Sequence, residues 1–150
     1  MAVLVAEAPP LEQGPLGNWI IPDYPPFEPT LLGPSWQRDE FGGFIAPEFT
    51  LGWEVIRWAE SNLQNDKAEP WRFTKEQKRL ILWWYEVDET GAFVWRDGVV
   101  QRLKGWGKDP FARVIALVEL VGPCRFAGWA ARDMPERGVK RGEPLAKENP

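Results

Sequence analysis

The stretch Arg102-Leu-Lys-Gly-Trp-Gly-Lys-Asp-Pro-Phe-Ala-Arg113 decides how the rest of the chain is read. Two glycines and a lysine stand between an apolar run and the start of a helical pattern. A strand, a glycine turn and a helix N-terminus in that order make an anion site. The first-turn N–H groups are unpaired there, and the helix dipole favours negative charge. Gly105 and Gly107 let the backbone approach a phosphate closely. Lys108 supplies a cation within reach of β- and γ-phosphates, and Lys104 adds a second on the same rim. The full pattern G-x-x-x-x-G-K-[ST] is not met. Arg102 stands where its first glycine belongs, and Asp109 replaces the hydroxyl residue. A purely structural explanation competes: Asp109 as N-cap, Pro110 at the first helical position, and the glycines as turn residues. It leaves Lys104 and Lys108 unexplained. Asp109 either repels a bound phosphate or holds Mg2+, directly or through water.

Working outward, Asp97-Gly98 between two β-prone runs signals a hairpin, with Val99–Lys104 as a strand feeding the loop. After the loop, Pro110–Val121 is apolar on nearly every side and is expected to be a buried helix, stopped by Gly122 and Pro123. Upstream, a helix is expected from about Thr50 to Gln64. Thr50 would cap it, and Leu51, Val55, Trp58, Ala59 and Leu63 fall on one face. A second helix begins at Thr74, where Thr74-Lys-Glu-Gln77 has capping-box spacing. Leu80, Trp83, Trp84 and Val87 make its stripe, and Asp88-Glu-Thr-Gly91 ends it.

The two ends of the chain read differently. Residues 1–48 hold nine of the fifteen prolines. Proline fixes φ and removes a donor, so this segment is expected to be an extended arm. Residues 49–123 form the start of the folded domain. Arg125–Trp129 reads as either a short strand or a loop; from Ala130 onward the chain is polar and without apolar period, so residues 124–150 are expected to be a loop or partly disordered end.

Composition narrows the chemistry. The 150 residues are 44% apolar, enough for one modest core. No apolar run is long enough to span a bilayer, so no membrane partner is expected. There is one cysteine and no histidine. An internal disulfide and a His-dependent nucleophile pair are thereby excluded, and an ordinary zinc site is disfavoured. The net charge of -4 conceals an asymmetry, because residues 1–50 carry seven acids and one base. The ten tryptophans point to core and interface packing, with base stacking as the alternative.

The run from Glu69 to Gly122 resembles the start of the ATPase domain of phage terminase large subunits, closest to those of actinobacteriophages. Glu69-Pro-Trp-Arg-Phe-Thr-Lys-Glu-Gln77, Leu82-Trp-Trp-Tyr-Glu-Val-Asp88 and Arg102–Pro110 carry the likeness. That family commonly uses a deviant loop, [KR]-x-x-G-K, which Lys104-Gly-Trp-Gly-Lys108 matches. The resemblance implies an α/β fold, an incomplete P-loop NTPase of N-terminal helices, β-hairpin and strand–loop–helix unit behind the proline-rich arm. It implies ATP and Mg2+ as cofactors. Lys104, Gly105, Trp106, Gly107, Lys108 and Asp109 would then hold phosphate, with Trp71 and Gln77 contacting adenine and Asp109 a candidate Mg2+ ligand. Gln77 is also the last member of the Thr74 capping box. The implied partners are the procapsid portal, the small terminase subunit, double-stranded DNA and the remainder of the protein, in the host cell cytoplasm. The family's acidic ATPase motif and nuclease domain have no counterpart after the loop. Val87-Asp88-Glu89 lies ahead of it and reads as a helix terminus. The chain is therefore expected to be truncated, with no complete catalytic set. A non-catalytic, tryptophan-rich interaction module is the competing expectation.

Overall fold

The computed structural model describes Glu12–Gln13, Trp19–Ile20 and residues 33–102 and 104–149. The chain divides into two compact units, Met1–Leu31 and Leu32–Pro150. In the first, β1 (Glu12–Gln13) pairs antiparallel with β2 (Trp19–Ile20). The rest of the expected arm up to residue 31 lies outside the described residues.

The larger unit begins earlier than expected. Residues 33–48, read above as arm, belong to it: Pro34–Trp36 forms a 3-10 turn, and the Trp36 ring meets Phe44 edge-on at 6.1 Å. Trp83 Nε1–H donates to the Ile45 carbonyl at 3.2 Å, tying this segment to the second α-helix. The helical core comprises α1 (Gly52–Asn62), α2 (Lys75–Trp84) and α3 (Lys108–Val121). Leu51, Val55, Ile81, Tyr85, Val118 and Cys124 are fully enclosed at its centre.

Thr50 serves α1 without being its cap. Its hydroxyl donates to the Leu82 carbonyl at 2.6 Å and accepts from Gly52 N at 3.0 Å, while Leu51 holds the N-cap position with no side-chain bond. The helices approach so closely here that a Cβ on Gly52 would lie 2.8 Å from Leu82 Cα. Thr74 and Gln77 form the expected capping box on α2. The stripe of α2, however, is displaced from its expected position. The core takes Gln77, Ile81 and Leu82, and Val87 just past the helix as expected, whereas Leu80, Trp83 and Trp84 are only partly buried. The helix is apolar on two faces, and α1 covers only one of them.

Three expectations about strands and α3 are corrected. No hairpin forms at Asp97-Gly98, and the described residues between Val99 and Lys104 belong to no strand. The turn lies one step earlier: Asp88 Oδ1 accepts from Thr90 N at 2.8 Å and Ala92 N at 3.0 Å, with Gly91 at φ 83°. Val87 then faces Phe93. An aspartate that caps its own turn, followed by a left-handed glycine, outcompetes a bare Asp-Gly pair. The end of the chain is more than a loop: residues 125–129 take the strand alternative within β3 (Pro123–Trp129), which pairs antiparallel with β4 (Pro144–Glu148). Register shifts within β3 erase the alternation by which a strand is recognised. Finally, α3 is buried along one face only. Phe111, Val114 and Val118 enter the core, while Leu120 is 69% exposed and Leu117 and Val121 are also open. Among the described residues no helix is long and apolar enough to cross a membrane.

Candidate phosphate-binding loop

Residues 104–108 turn sharply into α3. Gly105 and Gly107 have φ of 91° and 88°, a left-handed conformation that a side chain resists. Gly107 is the N-cap residue, no side chain caps the helix, and Lys108 is its first residue. The structural explanation of this stretch is thereby corrected. Asp109 is not the N-cap and Pro110 is not the first helical position; both lie inside the first turn. Two left-handed glycines start the helix two residues earlier than an Asp-Pro cap would. Pro110 has no N–H to satisfy, and Phe111 N–H donates to the Gly107 carbonyl at 3.0 Å.

Charges collect around this opening. Lys104, Gly105 and Asp109 are exposed, and Trp106 and Lys108 are half-buried. Lys108 Nζ donates to the Arg102 carbonyl at 2.6 Å, which folds the lysine back across its own loop. Arg102 Nε–H donates to Glu76 Oε1 at 2.5 Å, and its guanidinium lies 5.0 Å from the centre of the Trp36 ring. Trp106 packs edge-on against Phe111 at 5.5 Å, so the loop is anchored to the face of α3 that enters the core.

The two adenine candidates lie in different surroundings. Gln77 is buried. Its Oε1 accepts from Thr74 N at 3.0 Å, and its Nε2 lies 3.7 Å from where a Cβ on Gly107 would stand. The capping box therefore uses the amide oxygen and leaves the amide nitrogen facing the loop. Trp71 packs edge-on against Phe73 at 5.9 Å, and its indole N–H is buried with no acceptor among the described residues. A buried donor left unpaired costs about 1–3 kcal/mol, so an acceptor arriving beside Trp71 would relieve a deficit. Among the described residues no cluster of three or more His, Cys, Asp or Glu is placed to hold a metal ion. Asp109 stands by itself at the helix start, and any ion there would take its other ligands from phosphate and water.

Sequence reading missed Glu76, Trp36, Trp83, Trp84 and Trp95, which join Arg102 and Trp106 around a pocket beside the loop. The signal was present as a second apolar face on α2, but its covering segments come from residues 33–36 and 95–102. Only the fold brings those together.

No family model matches the chain, and no solved structure matches it. It is similar to the "Gene 13 protein" of Mycobacterium phage L5, 39% identical over a 136-residue alignment covering 76% of this chain and 23% of that protein. It is likewise similar to the "Gene 13 protein" of Mycobacterium phage D29, 40% identical over 130 residues, covering 71% of this chain and 22% of the relative. The chain spans less than a quarter of the length of these relatives, and both are proteins of phages that infect mycobacteria.

Proposed function

We propose that this chain is the ATP-binding N-terminal segment of a phage terminase large subunit, the motor that packages viral DNA into procapsids. The observation that carries the proposal is the helix start. Gly105 and Gly107 open the backbone, and Lys108 is the first residue of α3. A helix N-terminus opened by two left-handed glycines lets a phosphate approach the backbone closely and favours negative charge there. Lys104 and Lys108 contribute charge, and the Gln77 amide nitrogen faces the same loop. Asp109 would hold Mg2+, which neutralises phosphate charge when bound. Similarity to mycobacteriophage proteins accords with this reading.

Because the chain spans under a quarter of those relatives, packaging itself is proposed for the longer protein. So are its work in the host cell cytoplasm and its contacts with portal, small subunit and double-stranded DNA. A phosphate cradle lacking a residue to position the attacking water gives binding with little turnover. The strand expected at Val99–Lys104 would form only against neighbouring strands, since an isolated strand has no ladder to join.

Titration with ATP and Mg2+ by calorimetry tests the proposal. Lys108→Ala is expected to abolish measurable binding, while Lys140→Ala, on an exposed turn of the same unit, leaves it intact. Binding indifferent to Lys108 would sink it. A second reading, a non-catalytic interaction module, draws on the exposed Leu117, Leu120 and Val121 of α3. It requires partner binding that does not change when nucleotide is added.

A further inference from the structure

The face of α2 that escapes the core encloses space. Trp83 and Trp84, together with Trp36, Trp95 and Trp106, line a pocket of about 270 Å3. Trp83, Trp84 and Trp95 form no ring–ring pair among the described residues. Two of them are fixed at their edges: Trp95 Nε1–H donates to Glu86 Oε2 at 2.6 Å, and Trp83 Nε1–H to the Ile45 carbonyl. Such bonds engage only the edges of these two indoles, while Gly98 packs against the six-membered ring of Trp84, where an added Cβ would collide with Cζ3.

One wall is polar in a particular way. The backbone N–H and C=O groups of Trp95–Val100, an irregular and largely exposed segment at the pocket, make no hydrogen bond among the described residues. The charged side chains around the pocket balance, Glu76 and Asp97 against Arg96 and Arg102. Indole faces beside unpaired backbone donors and acceptors select a flat ring that carries donors and acceptors of its own. An aliphatic or purely hydrocarbon ligand would cover those backbone groups without pairing them, which is penalised. Whole drug-sized ligands occupy sites of roughly 300–1,000 Å3. This pocket is smaller and suits one ring system.

We propose that the pocket is a nucleobase site, taking a single unstacked purine or pyrimidine supplied by a free nucleotide or by single-stranded nucleic acid. Gln77, whose amide nitrogen faces Gly107, is not part of it. Base capture here does not depend on the phosphate cradle, so the site stands or falls separately from the ATP proposal.

The test is titration of the chain, labelled with 15N-tryptophan, with adenosine, ATP and a short single-stranded oligonucleotide, followed through the indole N–H resonances. Adenosine or the oligonucleotide is expected to move the signals of Trp83, Trp84 and Trp95. Trp95→Ala, which removes a wall, and Val100→Trp, which fills the space, are each expected to weaken binding about tenfold or more, the scale of one base stacked on an aromatic side chain. Lys140→Ala, on an exposed turn away from the pocket, is expected to leave adenosine affinity unchanged. An oligonucleotide that binds much more tightly than adenosine identifies the strand as the source. ATP binding more tightly, with the gain lost in Lys108→Ala, identifies the nucleotide. Signals unmoved by either adenosine or the oligonucleotide, or affinities unchanged in both pocket variants, overturn the base site even if ATP binds through Lys108. Adenosine binding that needs Trp95 while ATP gains nothing from Lys108 sustains the base site and removes the phosphate cradle instead.

Discussion

Glu54 and Glu76 each pair with an arginine distant in sequence, and the two pairs behave as different kinds of object. Glu54, on α1, is 8% exposed. Its Oε1 accepts from Ala146 N at 2.7 Å, its Oε2 accepts from Arg137 Nε at 2.8 Å and from Nη2, and Arg137 also donates to the Ala146 carbonyl. Both carboxylate oxygens are used, and the bonds fasten α1 to β4 and to the turn around Arg137. Glu76 makes one bond to Arg102, and both side chains keep more than a quarter of their surface. The first pair closes a structure. The second stands at the rim of a pocket and beside the glycine loop, where water can replace either partner. Arg137 is itself 34% exposed, so the difference lies in the carboxylates: a buried, fully bonded Glu54 makes a lock, and a wet Glu76 makes an adjustable latch.

The largest effect should come from the lock. Glu54→Ala leaves the Arg137 guanidinium and Ala146 N–H without their acceptor, and is expected to lower unfolding free energy by about 3 kcal/mol or more. Urea denaturation measures it; a loss no larger than that of a surface pair would erase the distinction. Tyr85 should come next. Its hydroxyl donates to Glu119 Oε1 at 2.6 Å, and Glu119 Oε2 in turn accepts from Arg125 at 2.8 Å. Tyr85→Phe removes a bond to a charged group, worth about 1.5–3 kcal/mol. This site also has a pH signature. Burial first, then the Glu119 carboxylate, pushes the Tyr85 hydroxyl well above its ordinary value of 10.0. A group whose pKa is raised on folding contributes fully below its unfolded pKa and progressively less above it. Thermal stability should therefore fall more steeply above about pH 10 in the parent than in Tyr85→Phe. The smallest effect belongs to the latch: Glu76→Gln should change stability by no more than about 1 kcal/mol. A larger loss would mean that Glu76 and Arg102 hold the fold together as Glu54 and Arg137 do.

What could be read from the sequence divides along similar lines. The helices were legible because their signals are local: Thr74 and Gln77 announce a capping box within one turn, and Leu51, Val55 and Ala59 repeat at helical spacing. The glycine loop was legible for the same reason. Pairings between distant segments were not. β3 and β4 meet across fifteen or so residues of polar chain, and the bulged register hides their alternation. Glu54 gives no hint that Arg137 awaits it 83 residues later. The helix start at Lys108 was misplaced because Asp-Pro is a strong local cap signal, and only the backbone angles at Gly105 and Gly107 overrule it. The tryptophan pocket was invisible because its walls come from three separated segments.

Cys124, the one cysteine in the chain, is fully enclosed where α3 hands over to β3. It gives the protein a built-in clock. A thiol reagent added to the native state has nothing to react with until that junction opens, so the labelling rate counts opening events at the end of α3. Ligand that settles on the other end of the same helix would be heard there as a slowing of that clock, without any probe being attached near the site.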